Sequence, residues 1–321
     1  MGPAAKPVVC IVTPGTRNAN NGNWRTAVRW AELLRDRLRI IVQTEWDGKT
    51  ADAMIALHAR RSAESIAAYR DTVRAGRLAV VLTGTDLYRD LPESAEAARS
   101  LDIADRIVVL QEDAPRLLKP EWRVKSQVIF QSARLLPRRA KPAGRLDCVM
   151  VGHLREEKDP LTLFRAFARI PPALPIRMRH IGAPLDAGLA RAARALERKD
   201  DRYRYAGALS RGLTRSAIGA AHMLVHPSIV EGGANVIVEA VTAGTPVVAS
   251  RISGNVGMLG TGYPGYFEAG DESGLAARLV QAWEEKGYLR ELSAACARRR
   301  PLFAPAAEKR ALGSLVASLF P

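Results

Sequence analysis

Short apolar runs rich in valine and isoleucine recur at 8–12, 39–43, 53–57, 78–82, 106–110 and 127–130, and again at 147–151, 177–181, 203–206, 223–226, 246–250 and 265–268. Longer stretches between them carry apolar residues three and four positions apart. In the clearest, Trp24, Ala27, Val28, Ala31, Leu34 and Leu38 mark one face of a helix. Further helices are predicted near 160–168, 185–199, 214–221, 234–243, 272–286 and 288–299, with a helical tail over 306–319. Strands that are apolar throughout, alternating with amphipathic helices, are the pattern of parallel sheets covered on both faces.

The two series are separated by 135–146, which holds two prolines and a glycine and has no periodicity. It reads as an interdomain linker, and 321 residues leave room for two cores. The expected class is α/β, with two doubly wound, Rossmann-like domains over 1–140 and 141–304 and a helix over 305–321 packing back across the hinge. Such sheets bind ligands at the carboxyl ends of their strands, so two domains facing across a cleft hold one reactant each.

Composition narrows the class. With 47% hydrophobic and 25% charged residues, the chain reads as a soluble folded protein, and no apolar run approaches the ~20 residues of a membrane span. Three widely spaced cysteines argue against disulfides and zinc and predict a reducing, cytoplasmic setting. The excess of 48 basic over 33 acidic residues requires an anionic partner to be considered. The 39 arginines and 9 lysines are scattered, however, and no run interleaves them with aromatics, which disfavours nucleic acid. Small-molecule substrates are the expected partners.

The most informative stretch runs from His226-Pro-Ser through Glu231-Gly-Gly-Ala-Asn235 and Glu239 to Thr-Ala-Gly-Thr-Pro246. A strand ends, a Gly-Gly turn follows and a helix begins, so the amides of Gly232, Gly233, Ala234, Asn235 and Val236 are placed to receive an anion. Glu231 and Glu239 can each accept sugar hydroxyls; singly, they also read as a helix cap and a solvated mid-helix residue. In 151–160, Arg155 and Lys158 follow a strand end, where cations stabilise a departing diphosphate. No Asp-x-Asp triplet or spaced histidine set supplies a metal site, and no cofactor is expected.

Three polar loops follow strand ends in the first half. The Gly- and Asn-rich loop of 13–25 includes Asn23 and Arg25; the second carries His58, Arg60 and Arg61; the third is Thr83-Gly84-Thr85-Asp86. The arginines and threonines suit a phosphate-sized anion, although Arg60 and Arg61 also read as a solvated helix start and Asp86 as a helix N-cap.

The Glu231 to Pro246 block resembles the donor motif of GT-B glycosyltransferases that use nucleotide sugars and carry two glutamates separated by seven residues. The resemblance implies that Glu239 holds the ribose and Glu231 the hexose. It also implies that the loop of Gly152, His153, Arg155 and Lys158 clamps the diphosphate, with His153 standing where the family's usual arginine lies. Together with Gly22-Asn23, 56–62, 82–88 and Tyr263-Pro-Gly-Tyr-Phe267, these motifs resemble, from end to end, the selenosugar synthases of selenoneine biosynthesis. That resemblance implies a UDP-sugar, UDP-N-acetylglucosamine or UDP-glucose, joined to selenophosphate with loss of phosphate. It also implies a selenophosphate-supplying enzyme and a partner enzyme forming the next C–Se bond.

The chemistry of such an acceptor is compatible with these loops. A selenolate-like anion is already ionised and needs positioning more than a general base, and His58 is the candidate acid for the departing phosphate. A transferase with a hydroxyl acceptor, a nucleotide-sugar epimerase and a basic nucleic-acid-binding protein are the alternatives the sequence leaves open.

Overall fold

Alternation along single strands explains how the first sheet is covered on both sides. In β1 (Val8–Val12), Val9 and Ile11 pack into one buried cluster with Trp30 and Leu34, whereas Cys10 and Val12 join a second with Ile66 and Tyr69. Successive side chains point to opposite faces, so an all-apolar strand needs helices on both. The computed structural model describes residues 6–15, 22–137 and 139–320. The predicted loop positions 16–21 lie outside the described residues.

The chain divides into two compact units, one of Met1–Gln131 with Pro305–Pro321, the other of Ser132–Ala304. The division follows Gln131, ahead of the Pro-containing stretch read as the linker, and the C-terminal segment is part of the first unit.

The first unit contains β1, β2 (Arg39–Gln43), β3 (Ala53–Leu57), β4 (Arg77–Leu82), β5 (Arg106–Val109) and β6 (Ser126–Val128), in the order β2-β1-β3-β4-β5-β6. The predicted strand at 127–130 is shorter and starts one residue earlier. The helix Pro305–Leu319 buries Leu312, Leu315 and Leu319 in the cluster that contains Trp30 and Leu34. Buried Glu308 fixes its approach to the helix Gly22–Leu34, accepting from Trp30 Nε1 at 2.8 Å and pairing with Arg29 Nε at 2.9 Å.

The second unit contains β7 (Leu146–Val151), β8 (Ile176–Ile181), β9 (Tyr203–Tyr205), β10 (Met223–His226), β11 (Val247–Ser250) and β12 (Tyr266–Phe267). Their order is β12-β11-β10-β7-β8-β9, and every pairing is parallel. The chain builds outward from β7 to β9, then crosses back to place β10 on the other side of β7. The loops after β7 and β10 therefore leave in opposite directions and open a crevice at the carboxyl edge, the place where doubly wound sheets bind ligands.

Helix starts follow capping chemistry where the side chain is available. Asp186 caps Ala187–Lys199 through Leu189 N–H, and Ser210 caps Arg211–Ala220, which begins earlier than its apolar spacing predicts. No helix among the described residues is long and apolar enough to cross a membrane.

Candidate functional site

Two loops meet at the β7/β10 switch point of the second unit. After β7 the chain runs through Gly152, His153 and Arg155 into a 3-10 turn, Glu156–Lys158. Asp159 then takes a left-handed conformation, φ +43°, and caps the helix Pro160–Arg169 by accepting from Thr162 N at 3.2 Å. The cap stops the turn abruptly and fixes where Lys158 starts. After β10 the second loop leads to Glu231, and Ile229 N–H donates to the Glu157 carbonyl at 3.0 Å, tying the loops together.

The central contact is an ion pair, with Lys158 Nζ 2.5 Å from Glu231 Oε1. The two side chains are 15% and 10% exposed, so solvent screens the pair far less than a surface bridge. His226 Nε2 lies 3.1 Å from the same oxygen, close in distance but outside hydrogen-bond geometry. Burial opposes ionisation of Glu231, yet the Lys158 ammonium and the His226 ring hold its carboxyl well below the usual carboxylate range. Oε2 receives no hydrogen bond from the described residues. The arrangement is a fixed carboxylate with one acceptor oxygen to offer, beside a cation.

The helix Asn235–Ala243 begins next to this pair. Ala234 occupies its N-cap position, no side chain caps it, and no acidic residue stands in its first turn. Its amide end therefore attracts an oxyanion, an interaction worth about 0.3–2 kcal/mol. Glu231 is not the cap, and Glu239 is not solvated: it is 7% exposed, with Arg211 Nε 3.4 Å from its Oε1.

Arg155 extends from the same turn, 45% exposed and 3.8 Å from Glu157. His153 Nδ1 accepts from Ala183 N–H at 2.9 Å, which places its proton on Nε2. Gly152 is held from below, since its carbonyl receives a hydrogen bond from His180 at 3.1 Å. His180 also bonds the Tyr203 hydroxyl at 2.9 Å, and burial pulls its imidazole down to about 4 from 6.5. The folded chain thus refuses a proton that the unfolded chain accepts between these values. Stability is expected to be full above pH 6.5 and to fall as pH drops toward 4, by up to about 3 kcal/mol from this residue. Thermal unfolding against pH checks this; a His180→Gln protein with an equally steep fall contradicts it.

Several residues of this site carry no role in the sequence reading: Asp159, His180, Arg211, His226 and Gly254. Asp159 is legible as a capping residue before Pro160, whereas Arg211 has only its position after a strand to mark it. Gly254, in the helix Ser253–Leu259, has no visible signal. A Cβ there meets the Glu231 carbonyl oxygen and carbonyl carbon, the latter at 2.7 Å, so only glycine allows this helix so near.

In the first unit the strand-end loops pack on one another. Asp86 is fully buried and accepts from the amides of Thr83 (2.8 Å), Gly84 (2.7 Å), Leu87 (3.1 Å) and Ala59 (3.1 Å). Its carboxylate shapes the loop. His58 has φ +75° and is 2% exposed. Its Nε2 lies 3.1 Å from Thr85 Oγ1 and its Nδ1 accepts from Arg61 N–H at 3.3 Å. Burial lowers its pKa, although Asp86 pulls the other way. Both ring nitrogens are thus engaged within the loops. Arg60 is exposed and pairs with Asp90 at 3.1 Å, Arg61 is exposed beside it, and Asn23 and Arg25 lie in the first turn of Gly22–Leu34.

Among the described residues no group of three His, Cys, Asp or Glu side chains is arranged to hold a metal ion.

The two parallel six-stranded sheets with flanking helices define the GT-B class of glycosyltransferase folds. The family model of glycosyl transferases group 1 matches residues 132–300, and the chain belongs to that family of enzymes. Among solved structures, Anabaena HepE in complex with UDP and glucose is similar at 15% identity, covering 97% of this chain and 100% of that one, with a TM-score of 0.75. Sucrose-phosphate synthase from Thermosynechococcus elongatus is similar at 18% identity over 98% and 99%, TM-score 0.80. The pneumococcal O-GlcNAc transferase GtfA, solved with UDP and GlcNAc, is similar at 16% over 83% and 57%, TM-score 0.69. A search of curated proteins finds no match.

Proposed function

We propose that this glycosyltransferase binds a UDP-sugar at the β7/β10 crevice of its second unit and transfers the sugar to selenophosphate. The observation that carries the donor reading is the buried Lys158–Glu231 pair beside an uncapped helix start. A diphosphate seated on the amides of 232–236 meets Lys158, Arg155 and His153, while Glu231 Oε2 takes a sugar hydroxyl and Glu239 the ribose. HepE and GtfA, both solved with UDP, support the choice of nucleotide.

The acceptor reading rests on the first unit's strand ends. Exposed Arg60 and Arg61 suit a small, highly charged oxyanion, with Asn23, Arg25, Thr83, Gly84 and Thr85 as neighbours in the same loops. His58, engaged at both ring nitrogens, is the candidate acid for the departing phosphate, and a nucleophile that arrives ionised needs no base from these loops. Selenium donates an electron pair to the anomeric carbon, the bond from that carbon to the UDP oxygen breaks, and UDP departs with the pair. Water then cleaves the P–Se bond, giving phosphate and a 1-selenosugar. An upstream enzyme that supplies selenophosphate and a downstream one that forms the second C–Se bond complete the scheme.

The test is mass spectrometry of the purified enzyme with UDP-N-acetylglucosamine or UDP-glucose and selenophosphate. The expected products are a selenosugar and one UDP per sugar transferred. Consumption of UDP-sugar only with hydroxyl acceptors, or without any acceptor, rejects the selenium reading while leaving the donor site intact.

A further inference from the structure

Arg139, Lys141 and Arg300 line a concavity of about 360 Å³ within the second unit, together with Ser293 and the small residues Ala294 and Ala297. None of the lining residues is acidic. Several arginines of this unit sit against carboxylates, among them Arg145 on Asp147 at 3.0 Å, Arg194 on Glu197 at 2.7 Å, and Arg202 on Asp200 at 2.7 Å. Arg139 and Arg300 have no such partner among the described residues.

Among the described residues, the hydrogen bonds that hold the two guanidinia leave most of their donors unspent. Arg300 Nε donates to the Val241 carbonyl at 3.2 Å, closing the C-terminal end of the helix Asn235–Ala243, where Gly244 turns left-handed at φ +75°. Arg139 donates one terminal nitrogen to Ser216 Oγ at 2.9 Å. A guanidinium has five N–H donors in a planar fork, so one edge of each can be fixed by the protein while the other meets an oxyanion. The two guanidinia carry like charges on the wall of the concavity, which a counter-anion neutralises. The alanine methyls and the Ser293 hydroxyl give the remaining wall the character of a site for a short carbon skeleton rather than for a bare ion.

We propose that this concavity binds a small phosphorylated organic molecule, its phosphate on Arg139, Lys141 and Arg300 and its carbon skeleton against Ala294 and Ala297. The site uses none of the residues assigned to the sugar donor, and it stands independently of that reading.

Equilibrium dialysis of the full chain with radiolabelled glycerol 3-phosphate tests it. Wild type and Lys158→Ala are expected to bind alike, while an Arg139→Gln/Lys141→Gln protein loses about tenfold or more in affinity, the effect of removing charge-assisted contacts. Arg300→Lys keeps a cation but not the fork, and its affinity is expected to lie between the two. Circular dichroism verifies that each variant is folded. Unchanged affinity in the double variant, or loss of binding in Lys158→Ala alone, overturns the proposal.

Discussion

The Lys158→Ala enzyme is expected to transfer sugar about 10²–10³ times more slowly than wild type, with a much smaller loss of nucleotide affinity. Negative charge grows on the diphosphate as the glycosidic bond breaks, and a fixed ammonium in a poorly screened crevice stabilises that growth without reorganising. The same change strips buried Glu231 of its main counter-charge, leaving His226 alone beside it. Removing one partner of a buried pair costs about 3–5 kcal/mol, and the proximity of His226 places this case toward the lower end. Thermal unfolding and single-turnover kinetics separate the two consequences. Adding Glu231→Gln to Lys158→Ala is expected to recover much of the stability and none of the rate. Normal turnover in a folded Lys158→Ala enzyme contradicts the leaving-group role.

A larger effect than its size suggests is expected at Gly254. The added methyl of Gly254→Ala has to displace the Glu231 backbone, because the nearest atoms are main-chain atoms with no side-chain freedom to yield. Overpacking of this kind costs about 1–3 kcal/mol. A displacement of about 1 Å at a positioning group lowers turnover by about 10²-fold. The Glu231–Lys158 geometry is disturbed as well, so the stability that the ionised Glu231 contributes at neutral pH shrinks, and the difference from wild type narrows as pH falls below the usual glutamate range. Steady-state kinetics beside a pH-dependent unfolding series checks this. A Gly254→Ala enzyme with wild-type turnover means that the Glu231 loop is not held by this helix.

The sequence exposes the parts of this account that depend on periodicity. All-apolar strands such as 53–57 could only lie in a sheet covered on both faces, and Ala53–Leu57 is buried throughout. The Pro- and Gly-bearing stretch before β7 announces a change of unit, yet the structural division comes earlier, because 132–137 packs with the second unit while lacking any periodic signal. Lys158, Glu231 and Glu239 are legible from loop position and residue type. Their mutual contacts are not, since the Lys158–Glu231 pair depends on β10 returning beside β7, a crossing that no local pattern encodes. The contacts of Asp86 and His58 are hidden for a related reason: the sequence shows polar residues at strand ends, but not the backbone amides that they accept from.

Calorimetric titration of UDP into wild type and Glu239→Ala, both verified as folded, addresses the donor site most directly. A carboxylate that holds ribose hydroxyls contributes about 1.5–3 kcal/mol, so UDP is expected to bind wild type and to weaken about 10- to 100-fold in the variant. Equal UDP affinity in the two proteins, or no UDP binding to wild type, contradicts the placement of the donor at the β7/β10 crevice.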